Sequence, residues 1–207
     1  MLMPRMSPGE RRAALISAAL AVMRRRGIAG TTARDVAAEL GSSSGLIHHY
    51  VDSMDELVAE AFAVAAGEDL LQAETAVRDE IGAVPRLAAF FDAYARGDDD
   101  GMQLWLDAWS EAARRPALGR ISRELNERWQ GLLAGIIRDG IREGSMSAED
   151  ADSSAWRVLS LLDGLVLQTV AHGDVISRAQ ADAWARAGAE GELGLPAGSL
   201  RGAVRTP

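Results

Sequence analysis

Cysteine and lysine are both absent from this chain. Without cysteine there is no disulfide framework, no thiolate metal centre and no cysteine nucleophile. Without lysine every basic residue is an arginine; with abundant alanine and glycine, this reads as the imprint of a GC-rich genome rather than of function. Aromatic residues are few, ten in all, yet five of them are tryptophan. Long apolar runs are missing too. The greasiest stretch, 158–171, is interrupted by Asp163 and falls short of the roughly 20 residues that cross a bilayer. The first residues carry no apolar run of the kind a secretory signal needs. A soluble, cytoplasmic protein without membrane contact is expected.

Of 207 residues, 48% are hydrophobic, enough for a sizeable core. The net charge of −8 at first argues against a polyanionic partner, but its distribution does not. Residues 1–34 hold seven arginines and one acid, Glu10, for a net of +6. Residues 35–57 hold five acids and no base, and the rest of the chain carries −9. A basic end on an acidic body fits a DNA-binding head attached to a domain with another task.

Strict apolar alternation of the strand type is absent, and apolar residues recur at helical spacing throughout, so an all-α fold is expected. A first helix spans about 9–26, with Leu15, Ile16, Ala19, Leu20 and Met23 inward and Gly27 as its stop. Thr31-Thr32 caps a short second helix ending at Leu40, before Gly41. Ser42-Ser43-Ser44 offers a cap for a third, to about Tyr50, and Ser53 caps a fourth. Longer helices are expected over 84–96, 102–115, 118–143, 148–172 and 177–189. Three segments follow: a head over 1–57, a larger domain over 58–190, and a Gly- and Pro-rich tail over 191–207 expected to be disordered.

The segment TTARDVAAELG-SSS-GLIHHYV has the form of a helix-turn-helix. Small Ala37 lets two helices approach, Gly41 makes the turn, and Val36, Leu40 and Ile47 supply the core that fixes their angle. The helix after the turn then leads into a major groove with its N-terminal end.

A first helix RRAALISAALAVMRRRG, then TT--DVAAELG, then GLIHHYVDSMDELV, resembles the TetR family over about residues 10–60. GLIHHY followed by VDS resembles its choline-responsive BetI branch, and WLDAWSEAARRPAL and SLLDGLVLQT are similar to that branch's ligand-binding domain. The resemblance implies an N-terminal three-helix DNA-binding domain and a C-terminal helical domain for ligand binding and dimerisation. The protein would be a homodimer repressing a palindromic operator until a small-molecule effector binds. Carried over residue by residue, it implies DNA contact by Thr32, Arg34, Ser43, Ser44, Leu46, His48, His49 and Tyr50. Thr32 and Tyr50 would position phosphates; Ser44, Leu46 and His49 would meet base edges. The chain departs from the family pattern at Met54, where a phosphate-binding lysine is usual, and at His48, Val51 and Ser42, where tyrosine, phenylalanine and an apolar turn residue are usual. The departure at Met54 implies one phosphate contact fewer.

In the C-terminal part, Trp105 and Trp109 lie one turn apart, and Trp129 and Trp156 fall on the next two helices. They are either core or the walls of an effector cavity. Asp163 sits on a very apolar helix, on one face with Trp156, Leu159, Val166 and Val170, so its carboxylate must be hydrogen-bonded, paired or neutral. It would bond a neighbouring helix end or balance a cationic effector boxed by Trp faces, and the effector is read as leaning towards a cation. Met102, Leu106 and Trp109 are expected to face inward. The helix 148–172 is apolar nearly all round, which suits pairing with a second copy, and a charge at Leu162 is expected to disrupt that pairing.

A small helical enzyme and a protein-interaction module are the alternatives. No Ser-His-Asp set, paired carboxylates or phosphate loop supports the enzyme. Adjacent His48 and His49 point in different directions and lack a third ligand at suitable spacing, so neither a metal nor another cofactor is expected.

Overall fold

The structure is a computed structural model that describes residues 7–43, 45, 47, 50–51, 53–96, 99–173 and 175–201, without the side chain of Asp99. Among the described residues there are eight helices and no strand: α1 (Pro8–Arg26), α2 (Ala33–Glu39), α3 (Met54–Arg78), α4 (Ala83–Ala95), α5 (Asp99–Glu111), α6 (Pro116–Glu143), α7 (Ala151–Ala171) and α8 (Arg178–Glu192). Gly45, Ile47 and Tyr50 are also helical, within the segment where the third helix is expected.

Helix boundaries follow local chemistry. Ser7 and Glu10 form a reciprocal capping box at the start of α1, with Pro8 at its first position. Arg24, Arg25 and Arg26 meet the negative end of the helix dipole. Its buried residues Leu15, Ala18, Ala19, Val22 and Met23 share one face, while Ile16 and Leu20 lie at its margins, half-buried. Ser53 caps α3 by accepting from the Glu56 N–H at 3.1 Å. A second capping box, Ser177 with Gln180, opens α8.

Three expectations at helix ends are corrected. The helix expected over 102–115 runs from Asp99 to Glu111, because the chain turns through 112–115 and Pro116 starts α6. A side chain at Gly119 would press on the Ala112 carbonyl, so glycine allows that turn to close. The helix expected from 148 begins at Ala151, and Asp150 caps it, accepting from the Ser153 N–H at 2.9 Å. Ser147 donates its N–H to the Leu193 carbonyl at 2.9 Å.

The tail expected to be disordered is docked over its described part. Helix α8 continues to Glu192, and Leu193, Leu195 and Leu200 are buried. Buried Glu190 accepts the N–H groups of Gly198 and Leu200, each at 2.8 Å. Buried Arg186 donates to the Leu200 carbonyl at 2.9 Å, pairs with Asp92 and Asp182, and lies over the Phe91 ring. Composition predicts disorder when too little apolar surface can be buried to offset chain entropy. Here three leucines and two buried charged residues supply that anchoring. Residues 202–207 lie outside the described residues.

The chain forms two compact units. The first is Met1–Gly67 with Gln103–Leu125, so a piece of the C-terminal sequence joins the head. The second is Glu68–Met102 with Asn126–Pro207, in which α7 and α8 are the most closely associated helices. Gly188 lets them approach: a side chain there would collide with Leu161.

Candidate functional site

In the first unit, Thr32 is the N-cap of α2. Its hydroxyl accepts from the Asp35 N–H at 3.3 Å and donates to the Asp35 carboxylate at 2.6 Å. That bond is the main reason the Asp35 carboxyl titrates below its ordinary range. Val36 and Ala37 are buried and Leu40 half-buried. The turn closes as a Schellman motif: Ser42 N–H donates to the Ala37 carbonyl at 2.9 Å and Gly41 N–H to that of Ala38 at 3.1 Å. Gly41 has φ +62°, which glycine adopts without strain. Ile47 is fully buried beyond the turn, as its core role requires.

Of the expected DNA-contact residues, Thr32, Arg34 and Ser43 are exposed. Tyr50 is half-buried and accepts a hydrogen bond from Arg11 at 2.7 Å. Ser44, Leu46, His48 and His49 lie outside the described residues. Val51 is buried and fills its core slot.

The head is tied to 103–125 by two carboxylates. Asp107 of α5 accepts the Ile28 N–H, and Asp55 of α3 accepts the Ala117 N–H at the start of α6, at 2.9 Å. Sequence reading did not find these ties, because each joins residues more than sixty apart. In the same unit Trp105 packs edge-on against Phe62, with ring centroids 4.9 Å apart, and contacts Trp109 at 5.7 Å. Met102 and Leu106 are half-buried, but Trp109, expected to face inward, is 39% exposed.

In the second unit, buried Trp129 stands edge-on to Phe90 and Tyr94, at 5.6 and 5.5 Å. Tyr94 donates its hydroxyl to Asp163 at 2.5 Å. Burial pushes the Asp163 carboxyl up to about 6, and the Tyr94 bond partly opposes this. Burial, then the negative charge of Asp163, drives the Tyr94 hydroxyl well above its ordinary range. The partner of Asp163 is thus a tyrosine rather than a helix end. A small open-mouthed hollow of about 40 Å³ lies here, with Tyr94, Leu162, Val166, Thr169, Arg178 and Asp182 among its lining. Tyr94 is part of that lining and Asp163, its hydrogen-bond partner, is not. Sequence reading missed Tyr94, though a signal existed: it is one of only two tyrosines, and a buried hydroxyl needs a partner.

Trp105 and Trp109 therefore fall in one unit, and Trp129, Trp156 and Asp163 in the other. Trp156 is 41% exposed rather than enclosed beside Asp163. No His/Asp/Glu cluster suited to a metal occurs among the described residues. No helix among them is long and apolar enough to cross a membrane.

Residues 15–61 match the model of the bacterial regulatory proteins of the tetR family, and residues 83–194 match that of the BetI-type transcriptional repressor C-terminal domain. The chain belongs to the TetR family. It is a BetI-type transcriptional regulator, not an enzyme. The HTH-type transcriptional regulator BetI of Paraburkholderia xenovorans (strain LB400) is 33% identical over 179 residues, covering 83% of this chain and 88% of that protein. BetI of Vibrio vulnificus (strain YJ016) is 30% identical, covering 78% and 81%. Among solved structures, a transcriptional regulator from Pseudomonas aeruginosa PAO1 superposes with a TM-score of 0.77 at 33% identity, over 90% of this chain and 92% of that one. A regulator from Saccharomonospora viridis in complex with choline has a TM-score of 0.81 at 24% identity, over 89% and 98%, and shares the fold. The all-helical TetR architecture and the DNA-binding helix-turn-helix expected from sequence both stand.

Proposed function

We propose that this TetR-family chain works as a homodimeric repressor that holds a two-fold symmetric operator and leaves it when a small organic cation binds the C-terminal domain. The observation that carries the reading is the Thr32-capped, Schellman-closed helix-turn-helix in a chain that matches the family in both halves. The head over 1–57 supplies DNA contact through Thr32, Arg34, Ser43, Ser44, Leu46, His48, His49 and Tyr50, and 58–190 supplies dimerisation and effector binding.

Dimerisation is supported by large apolar side chains left open on α7 and α8 of the single chain. Trp156 and Leu161 of α7 and Trp184 of α8 are 41%, 39% and 49% exposed. A second copy related by a two-fold axis would cover these side chains and set two reading helices about 34–36 Å apart.

The cation is supported by the hollow of the second unit. Its lining includes Tyr94, whose hydroxyl donates to the Asp163 carboxylate and whose ring meets Trp129 edge-on, and an aromatic ring with a carboxylate beside it favours positive charge. The choline bound in the Saccharomonospora viridis protein points to the same class of compound. Trp129 and Asp163 are the candidate effector contacts behind this hollow; Trp105 and Trp109, in the first unit, and exposed Trp156 are not among its lining. Release follows from linkage: a ligand that binds better when the heads are wrongly spaced lowers operator affinity by the same factor.

Fluorescence anisotropy with a duplex from the native upstream region and a scrambled duplex tests both parts. Preference for the native duplex, reversed by choline-like or polyamine-like compounds but not by anionic metabolites, is expected. Equal binding to both duplexes would refute the operator. Release by neutral or anionic compounds alone would refute the cation.

A further inference from the structure

The first turns of α1 bring Arg11 against Tyr50, 39 residues away. One guanidinium nitrogen donates to the tyrosine hydroxyl at 2.7 Å, and the guanidinium carbon lies 5.2 Å from the ring centroid. Arg11 is thus held at two points, by a hydrogen bond and by a cation–π contact, and much of its rotamer freedom is already spent in the free protein.

The neighbouring arginines are used differently. Arg12 pairs with Glu60, Arg25 with Glu39 and Arg26 with Asp35, so their charge is largely neutralised within the fold. Among the described residues of the head, Arg11 and Arg24 form no ion pair, while the charge of Arg34 acts on Asp35. Arg24 and Arg34 are exposed, whereas Arg11 is half-buried and fixed in place. A guanidinium presents five N–H donors, and the hydrogen bond to Tyr50 uses one. A positioned, uncompensated cation beside the reading segment is what a backbone phosphate requires. The start of α3 offers no such charge, because the residue there is Met54 and the next two are Asp55 and Glu56.

The geometry points to Arg11 as a direct phosphate contact of the DNA head, held in its binding posture by Tyr50. This rests on the DNA-binding reading above and adds a residue that sequence comparison did not single out. The Arg11–Tyr50 pair anchors the C-terminal end of the reading segment to the DNA backbone. It contributes to affinity for any duplex and carries no base preference.

The test uses the full-length protein and the same two duplexes, titrated at several salt concentrations. Arg11→Gln should weaken binding to native and scrambled duplexes alike, by about tenfold at moderate salt, and lower the slope of log affinity against log salt by about one per subunit. Arg11→Lys keeps the charge, so most of the slope should remain while affinity falls a few-fold. Tyr50→Phe removes the hydrogen bond; it should weaken binding in the wild-type background more than in Arg11→Gln. If Arg11→Gln and Arg11→Lys lower thermal stability equally and leave the salt slope unchanged, Arg11 is only a tie between α1 and the reading segment and the assignment is overturned. Should Arg11→Gln fail to fold, Arg11→Met takes its place in the same titration: a slope lower by about one per subunit supports the assignment, and an unchanged slope overturns it. Equal binding of both duplexes by the unmutated protein removes the operator reading but leaves the Arg11 test intact, whereas no binding to either overturns both.

Discussion

The carboxylate of Asp107, on α5, accepts a hydrogen bond from the backbone N–H of Ile28 at 3.2 Å, across 79 residues of sequence. Its other oxygen accepts from the Gln103 side chain at 2.9 Å. Gly27, just before Ile28, has φ +73° and ψ 166°, a region almost exclusive to glycine, and a side chain there would stand 2.9 Å from an Asp107 oxygen. The turn between α1 and α2 is therefore shaped to admit this carboxylate. Asp107→Ala leaves the Ile28 N–H without its partner and should cost about 1–3 kcal/mol. Asp107→Asn keeps an acceptor oxygen and should cost less. Gly27→Ala should cost about 1–3 kcal/mol from backbone strain. Urea denaturation measures all three, and an unchanged midpoint for Asp107→Ala would show the contact to be incidental.

The hydroxyl of Ser42 is buried without a hydrogen-bond partner among the described residues, at the position where the family pattern has an apolar residue. Its N–H already closes the Schellman turn, so only the side chain is in deficit. Ser42→Ala removes the unsatisfied group and should stabilise the protein by about 1 kcal/mol. A thermal scan should show a rise of a few degrees with operator affinity retained. A lower midpoint would mean that the hydroxyl is bonded after all.

Leu161 and Leu162 are adjacent on α7 and should respond oppositely to the same substitution. Leu161 is 39% exposed, whereas Leu162 is 3% exposed. Leu161→Glu should give a folded monomer that has lost operator binding. Leu162→Glu, expected from sequence to break the dimer, buries a charge within its own subunit and should unfold or aggregate. Light scattering with circular dichroism separates the outcomes. A dimeric Leu161→Glu would place Leu161 outside the interface.

Asp163 titrates near 6 in the folded chain, above the ordinary carboxylate value, so its ionisation opposes folding. Its contribution is most favourable below about pH 4 and is lost as pH rises through about 6. Asp163→Asn should flatten the stability profile over that window. A permanently charged ligand such as choline should bind more tightly at pH 7 than at pH 5, because the ionised carboxylate then stands behind Tyr94. Calorimetry at both pH values checks this. An affinity independent of pH, or one unchanged in Asp163→Asn, would separate the carboxylate from the effector.

Local and periodic features were legible in the residues themselves. The Thr32 cap, the Gly41 turn and the burial of Val36, Ala37 and Ile47 each depend on neighbours within about a turn of helix. The order of the motifs was enough to imply the TetR resemblance. The Trp residues were harder to read. Helical spacing joins Trp105 to Trp109, but nothing in spacing says that Phe62 stands against them, or that Trp129 meets Tyr94 instead.

By itself, the sequence determined the helical class, the helix-turn-helix and the split between a basic head and an acidic body, because capping, turn formation and amphipathic periodicity act over a few residues. Tertiary structure alone decided which charges are spent and which remain. Arg12, Arg25 and Arg26 are neutralised within the fold while Arg11 is held on Tyr50. Asp163 is met by Tyr94, and Arg186 and Glu190 fasten a tail whose composition suggests disorder. Each of these outcomes depends on which side chains the packed helices bring within a few ångströms across long stretches of chain, and a polar group removed from water takes the partner that packing supplies.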